Sequence, residues 1–157
     1  MLCRYADLMR MYGYADNTDE LLCYYNFMSA GNLIYADLTF KLRGILYKTH
    51  NKLGRYCNEK QYADQIEKYL KEENILYERE KIIPKMFEGE KTGRNKADFI
   101  IAGKIVLEIK TKRMLLKEDY YQLKRYLVAI NKKLGILVNF RALYLNPKRV
   151  LNSSVSE

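Results

Sequence analysis

The stretch that decides the fold is KADFIIAGKIVLEIK, residues 96–110, in which two short apolar runs are joined by a turn containing Gly103. Its apolar and other side chains alternate as they do in strands, which predicts a β-hairpin with one apolar face. Six residues share this face: Ala97, Phe99, Ile101, Ile105, Leu107 and Ile109. The hairpin nevertheless carries three charged side chains, those of Asp98, Glu108 and Lys110.

The alternation also predicts the register of the hairpin. Matching the two apolar faces leaves residues 102–104 as the loop and sets Asp98 directly opposite Glu108. Three apolar pairs follow: Ile101 with Ile105, Phe99 with Leu107, and Ala97 with Ile109. A two-residue loop would set Asp98 opposite Ile109 and spoil the apolar face. The pattern therefore brings two carboxylates together, and Lys110 projects from the same side.

Two carboxylates on facing strands destabilise a sheet unless something neutralises them. Lys110 supplies part of the charge, and a divalent metal held by Asp98 and Glu108 would supply more, because Mg²⁺ prefers oxygen ligands and keeps waters. A metal-activated water beside a lysine is a nucleophile for phosphodiester hydrolysis. The hairpin is thus sufficient for a metal-dependent nuclease; the alternative is a solvated polar face with an acidic and basic ladder.

Outside the hairpin, hydrophobic periodicity and cap residues outline the rest of the fold. The predicted elements are, in order, helices over 33–52 and 58–73, a strand over 75–84, the hairpin, a helix over 117–133 closed by Gly135, a strand over 135–140 and a short edge strand over 148–151. This order predicts a mixed α/β fold, in which helices flank a small central sheet.

A chain of 157 residues predicts one domain, which we place at 33–151, after an N-terminal extension over 1–32 and before a polar tail over 152–157. The apolar runs are too short for a membrane span, and the N-terminus shows no signal-peptide core, so we expect a cytoplasmic protein without membrane contact. The three cysteines are widely spaced and fit reduced thiols.

Basic residues outnumber acidic ones by 28 to 19, for a net charge of +9, which favours a polyanionic partner such as nucleic acid. Six basic side chains follow the hairpin and are predicted to contact phosphates: Lys112, Arg113, Lys124, Arg125, Lys148 and Arg149. Such contacts would contribute affinity and no sequence choice.

Three further polar residues are candidates for the same site. Glu59 heads the inward-facing stripe of its helix and is expected to point toward the core, although a first-turn glutamate can merely complement the helix dipole. Gln122 and Tyr126 are four residues apart on the third helix, so both can reach one site. The alternative for this pair is a surface contact.

In chain order, Glu59, Asp98, Glu108-Ile109-Lys110 and Gln122-Leu-Lys-Arg-Tyr126 resemble the pattern of the PD-(D/E)XK nuclease superfamily. More narrowly, blocks such as "LTFKLRGILYKTHNKLG", "EKQYAD", "LEIK" and "EDYYQLKRYL" look like the GxxExxY family of bacterial and archaeal proteins. Two positions depart: Tyr56 stands where that family motif has its glycine, and Ala97 where the superfamily often has proline.

The resemblance implies a restriction-endonuclease-like αβββαβ core and metal-dependent cleavage of nucleic acid, DNA being favoured. The implied catalytic residues are Glu59, Asp98, Glu108 and Lys110, and the implied ligands of Mg²⁺ or Mn²⁺ are Asp98, Glu108 and the carbonyl of Ile109. Gln122 and Tyr126 would position the strand. The alternative is a catalytically silent module that binds nucleic acid or a protein partner on the same fold; a homo-oligomer also stays open.

Overall fold

The structure is a computed structural model and describes residues 34–155. Its elements are helices α1 (Ala36–Leu53), α2 (Glu59–Glu72) and α3 (Lys117–Ala129) and strands β1 (Tyr77–Ile82), β2 (Lys96–Ile101), β3 (Ile105–Lys110), β4 (Leu134–Asn139) and β5 (Lys148–Leu151). The predicted mixed α/β class and the predicted order of elements are confirmed. The predicted extension over 1–32 lies outside the described residues, and the predicted domain bounds stay a prediction.

The chain divides into two compact units, residues 1–52 and residues 53–157. The described part of the first unit is α1 with the turn before it, and Leu42, Ile45 and Leu46 on one side of this helix are buried. The second unit contains the sheet, α2 and α3. None of the helices within residues 34–155 combines the length and the apolar character that crossing a membrane requires.

The sheet has the strand order β1-β2-β3-β4-β5, and within it β3 and β4 are parallel while the other neighbours are antiparallel. A parallel pair needs a crossover, and α3 supplies it. Val106 packs against Leu123 of α3. Tyr77 of β1 is aligned across the sheet with Ile105 of β3, so their side chains lie on the same face. The hydroxyl of Tyr77 donates a hydrogen bond to Glu67 of α2, which places α2 on that face. Because consecutive strand residues face opposite ways, α2 and α3 lie on opposite faces of the sheet.

Helix α2 begins where its cap residue predicts. The side chain of Asn58 accepts the backbone N–H of Gln61 at 2.9 Å, and the side chain of Gln61 accepts the N–H of Asn58 at 2.9 Å. This reciprocal cap satisfies two N–H groups that the helix itself leaves unpaired. It also places Glu59 at the first position of the helix.

Helix α3 ends earlier than predicted, at Ala129. Asn131 takes the left-handed conformation, with φ 51°, which the sequence analysis assigned to Gly135. Gly135 instead lies inside β4, where a Cβ atom would come within 2.8 Å of the Leu123 side chain. The glycine is therefore needed for close packing of β4 against α3, and asparagine tolerates the left-handed cap.

The predicted register of the hairpin is confirmed at its loop end. Residues 102–104 form the loop, Ile101 pairs with Ile105, and Phe99 pairs with Leu107. The ladder between β2 and β3 ends at this second pair.

Beyond that pair the predicted register is wrong. The Asp98 carboxylate, rather than a backbone carbonyl, accepts the N–H of Ile109, at 2.6 Å. A carboxylate is the stronger acceptor, so it replaces the ladder bond that a pair of Ala97 with Ile109 would have supplied. Ala97 packs into the cluster that contains Val106 rather than sharing a face with Phe99. The end of the hairpin is thereby opened, and the side chain of Asp98 lies between the strands.

Candidate active site

Glu108 is the centre of the candidate site. It is 3% exposed, near the end of the buried strand β3. Its Oε2 lies 3.6 Å from Nζ of Lys110, whereas its Oε1 has no hydrogen-bond partner among the described residues. A buried carboxylate oxygen without a partner is costly, and native proteins keep such an atom where a function requires it.

Ionisation is unfavourable for both acids of the hairpin, whose pKa values are raised. Burial raises the pKa of Glu108 to about 8, and the charge of Asp98 raises it further, while Lys110 and the backbone N–H of Asp98 oppose the shift. Burial also raises the pKa of Asp98, against the N–H of Ile109 and the charge of Lys110. Together, Asp98 and Glu108, below called the acid pair, favour any cation that reaches them.

Glu59 lies close to this region. The prediction that it points toward the core is wrong, since its side chain is exposed. Its Oε1 accepts the backbone N–H of Thr111 at 3.2 Å, immediately after Lys110. Its charge also contributes to the raised pKa of Asp98.

Glu80 is an acid that the sequence analysis missed. It lies opposite Asp98 across the ladder of β1 and β2, between the pairs of Arg79 with Phe99 and Lys81 with Ala97, and it too raises the pKa of Asp98. Its φ of 50° is uncommon for a residue other than glycine. The alternation of β1 marks Glu80 as polar, but its partner depends on a register that no short turn sets, because a long loop precedes β2.

The predicted pair on α3 meets Lys110. Nζ of Lys110 donates to Oε1 of Gln122 at 3.3 Å, and Nε2 of Gln122 donates to the hydroxyl of Tyr126 at 2.8 Å. Tyr126 is only 2% exposed, and burial raises the pKa of its hydroxyl. Gln122 therefore orients Lys110, and the buried hydroxyl of Tyr126 orients Gln122.

Lys112, predicted to contact phosphate, is already engaged within the protein. Its Nζ lies 2.7 Å from Oδ1 of Asp119 on α3. Burial alone would raise the pKa of Asp119, but the bonds from Lys112 and from the N–H of Leu116 hold it below its usual range. This ion pair connects the segment after β3 to α3, although the Lys112 side chain is still 41% exposed.

Asn139 is a second residue that the sequence analysis missed. At the end of β4, its Oδ1 accepts the N–H of Lys112 at 3.2 Å and its Nδ2 donates to the carbonyl of Lys112 at 2.7 Å. Asn139 is also the ladder partner of Lys110. It thus holds the backbone that follows β3. A polar residue ending a buried strand is the signal that could have found it.

The other predicted phosphate contacts are spread over several elements. Lys124 and Arg125 lie on the outer face of α3, where they line a groove of about 570 Å³ together with Tyr121 and Val128. The opposite face of the helix carries Tyr126. Lys148 and Arg149 lie on the edge strand β5, and Arg113 is exposed after β3.

The carboxylate oxygens of the acid pair are suitable ligands for a hard divalent ion. No group of three or more His, Cys, Asp or Glu side chains within residues 34–155 is arranged to hold a metal. Mg²⁺, however, is usually bound through one or two carboxylates and keeps several waters. Oε1 of Glu108 is a buried oxygen lacking a hydrogen-bond donor in the described part of the chain, and Asp98 lies beside it. The residues present therefore suit Mg²⁺ or Mn²⁺.

Comparison with known proteins identifies the fold. The model of the PD-(D/E)XK nuclease superfamily matches residues 36–150, which is more than half of the chain. No curated protein and no solved structure gives a significant match. The matched range contains β1 to β4, β5 as far as Val150, and Asp98, Glu108 and Lys110 in the expected order. The chain belongs to the PD-(D/E)XK nuclease superfamily.

Proposed function

We propose that this protein is a Mg²⁺- or Mn²⁺-dependent nuclease that hydrolyses phosphodiester bonds, with DNA as the favoured nucleic acid. Members of its superfamily are typically nucleases and generally use divalent metal ions. The observation that carries the proposal is Glu108, a buried carboxylate with one unpartnered oxygen, beside Asp98 and 3.6 Å from Lys110. A carboxylate with a purely structural role at this depth would have hydrogen-bond donors for both of its oxygens.

The metal ligands would be Asp98, Glu108 and the carbonyl of Ile109. The N–H of Ile109 points to β2, since it donates to Asp98. In a strand, the carbonyl of a residue points to the same side as its N–H, so this carbonyl also faces the opened end of the hairpin. A bound divalent ion supplies charge neutralisation at the phosphate and lowers the pKa of its water.

Lys110 would act on the attacking water and the phosphate. Its ammonium is held between Oε2 of Glu108, at 3.6 Å, and Oε1 of Gln122, at 3.3 Å. Three donor hydrogens allow the group to keep these contacts and still donate to a phosphate oxygen. Charge that develops on the phosphate would then meet a preorganised cation.

Glu59 would support the same site from the other helix. Its contact with the N–H of Thr111 holds the backbone beside Lys110 and brings its carboxylate close enough to affect Asp98. Such a carboxylate can hold a water of the metal without being a direct ligand.

We further propose that the chain is a member of the GxxExxY family, with Glu59 and Tyr62 as the glutamate and tyrosine of that motif. Each has a defined task in this structure. Glu59 meets Thr111, and the Tyr62 hydroxyl donates to the carbonyl of Gly54 at 2.6 Å. Tyr56 occupies the position of the motif glycine.

The test is a cleavage assay on labelled single-stranded, duplex and branched DNA and RNA with Mg²⁺ or Mn²⁺. We expect cleavage by the wild type and loss of cleavage with EDTA, with Asp98→Asn and with Lys110→Ala. Glu78→Gln, a change at an exposed carboxylate that pairs with Lys81 on the surface, is the matched control and should cleave normally. Cleavage that survives Asp98→Asn would contradict the proposal; nucleic-acid binding without any cleavage would support the binding module instead.

A further inference from the structure

Tyr56 is an exposed aromatic residue held by two arginines. Its side chain is 79% exposed, and the guanidinium carbons of Arg55 and Arg141 lie 5.8 Å and 5.4 Å from its ring centroid. Both distances are within the range of cation–π contacts. Nε of Arg55 also donates to the carbonyl of Arg141 at 3.0 Å, which ties the two arginines together. We call Arg55, Tyr56 and Arg141 the platform.

The positive charge of the platform is not neutralised by acids of the described chain. Within residues 34–155, neither Arg55 nor Arg141 lies within ion-pair distance of a carboxylate, whereas Arg79 contacts two. An arginine that contacts an exposed ring and a carbonyl keeps donors for an incoming anion. Phosphate is the anion that the proposed function supplies.

The platform is built on buried anchors. The Tyr62 hydroxyl donates to the carbonyl of Gly54 at 2.6 Å and accepts the N–H of Cys57 at 3.3 Å, so it holds both sides of the loop that carries Tyr56. The ring of Tyr62 stacks on Phe140, with centroids 4.2 Å apart, and Phe140 precedes Arg141. Both parts of the platform are therefore positioned before any ligand arrives, which lowers the entropic cost of binding.

The anchors also connect the platform to the candidate active site. The N–H of Phe140 donates to the carbonyl of Lys110 at 2.9 Å. On the other side, Glu59 begins the helix that follows the Tyr56 loop, and it accepts the N–H of Thr111. The platform thus borders the chain segment that directly follows the proposed catalytic lysine.

We propose that the platform binds an unpaired segment of the nucleic-acid substrate, with a base stacked on Tyr56 and phosphates contacted by Arg55 and Arg141. The proposal rests on the proposed function and names its substrate class. Inside a duplex the bases stack on one another, so stacking on an exposed ring costs least for an unpaired base. An acidic peptide would match the charge but offers no base for the ring.

The test is fluorescence anisotropy in EDTA, so that binding is measured without cleavage. The probes are a labelled single-stranded DNA, a single-stranded RNA of the same sequence and the corresponding duplex DNA. Tyr56→Ala should weaken single-strand binding by about tenfold, the usual effect of losing one stacked base. Tyr56→Phe should retain it. Tyr121→Ala is the matched control, because Tyr121 is also exposed, at 62%, but lies on the outer face of α3.

Two further readouts separate stacking from a general effect on folding. The chain has no tryptophan, so Tyr56→Trp creates a single reporter, whose fluorescence should be quenched by the single strands and not by the duplex. Arg55→Gln or Arg141→Gln should each reduce the slope of log affinity against log salt by about 0.7 for a single strand, which corresponds to one lost phosphate contact.

The platform proposal is overturned if Tyr56→Ala binds single strands as the wild type does. It is also overturned if binding depends on Tyr121 instead, if a polyglutamate peptide competes as well as the oligonucleotide, or if no strand binds. Failure of the proposed catalysis looks different, since Tyr56-dependent binding would persist without cleavage in Mg²⁺ or Mn²⁺. Cleavage with Tyr56-independent binding would reject the platform alone.

Discussion

Two groups of charged residues, one between α2 and the sheet and one at the end of the hairpin, have opposite electrostatic environments. Arg79 contacts Oε2 of Glu67 at 2.7 Å and Oδ1 of Asp64 at 2.6 Å, and Tyr77 donates to Glu67 at 2.7 Å. We call these four residues the arginine cluster. The hydrogen bonds from Tyr77 and Arg79 lower the pKa of Glu67. In the acid pair, by contrast, burial raises the pKa of Glu108 to about 8 and one oxygen has no partner among the described residues.

The difference fits a structural role for the arginine cluster and supports the proposed chemical role of the acid pair. In the arginine cluster every carboxylate has a donor, so its charges contribute to stability or cost little. In the acid pair, ionisation of both carboxyls places two negative charges close together away from water. Lys110 neutralises only part of this charge. Strained acids in one place are typical of functional sites. Replacing one carboxylate in each group by its amide tests this distinction.

The largest expected effect is that of Glu108→Gln on cleavage. Removing the charge should lower kcat/KM by at least about a hundredfold, because the ligand and part of the charge at the metal are lost. The same change should raise the melting temperature at pH 8.5 in EDTA, because the raised pKa of Glu108 means that its ionisation destabilises the folded state, and glutamine does not ionise. Glu67→Gln, the matched change in the arginine cluster, should show the reverse: normal cleavage and a lower melting temperature. Equal effects of the two changes would remove the distinction.

The second prediction concerns pH. Because the pKa of Glu108 is raised to about 8 in the folded state, the folded protein holds a proton that the unfolded chain releases near pH 4.5. The free energy that this retained proton contributes to folding is fully present below pH 4.5 and is lost as the pH rises to about 8. Melting temperatures in EDTA should therefore fall over this window.

Two controls connect that fall to Glu108. Glu108→Gln should flatten the profile, while Glu67→Gln should keep it. Adding Mn²⁺ at pH 8.5 should restore the melting temperature of the wild type, since a ligand that binds only the folded state stabilises it. An identical fall in Glu108→Gln would assign the pH dependence to other groups.

The third prediction tests the arginine cluster. Arg79→Leu should lower the free energy of unfolding by about 2 kcal/mol, because two carboxylates lose their partner and the contact with the Phe99 ring is lost. Urea unfolding measures this loss. Arg79→Lys should recover only part of it, since an ammonium cannot match two carboxylates as a guanidinium does. Cleavage by the folded fraction should stay normal in both variants, and a loss of cleavage there would contradict the structural role.

The smallest effect is expected at the edge of the acid pair. Gln122→Leu removes the acceptor at 3.3 Å from Nζ of Lys110 and leaves the hydroxyl of Tyr126 without its donor. We expect kcat to fall by about tenfold with KM unchanged, because Lys110 loses its orientation and not its charge. Tyr126→Phe should have a smaller effect in the same direction. A change in KM alone would mean that Gln122 contacts the substrate directly.

Much of the site could be predicted from sequence because strands and helices repeat at fixed periods. Alternation over residues 96–110 predicted that Asp98, Glu108 and Lys110 lie near one another, which holds although the ladder ends before Asp98. Four-residue spacing predicted that Gln122 and Tyr126 share a face of α3, and they are hydrogen-bonded. The residues that were missed depend on strand neighbours far along the chain. Glu80 meets Asp98 only through the pairing of β1 with β2, and Asn139 meets Lys112 only through the parallel pairing of β3 with β4.

By itself, the sequence determined the order of the elements, the hairpin loop, the cap of α2 and the ordered set of polar residues that marks the superfamily. These follow from interactions between neighbours in the chain, which periodicity and turn chemistry reveal. Only the tertiary structure decided that the hairpin opens at Asp98, that Glu59 reaches Thr111, and that Arg55 and Arg141, 86 residues apart, hold one platform. Such contacts form when packing brings distant segments together, and no local pattern encodes which donor will then find which acceptor.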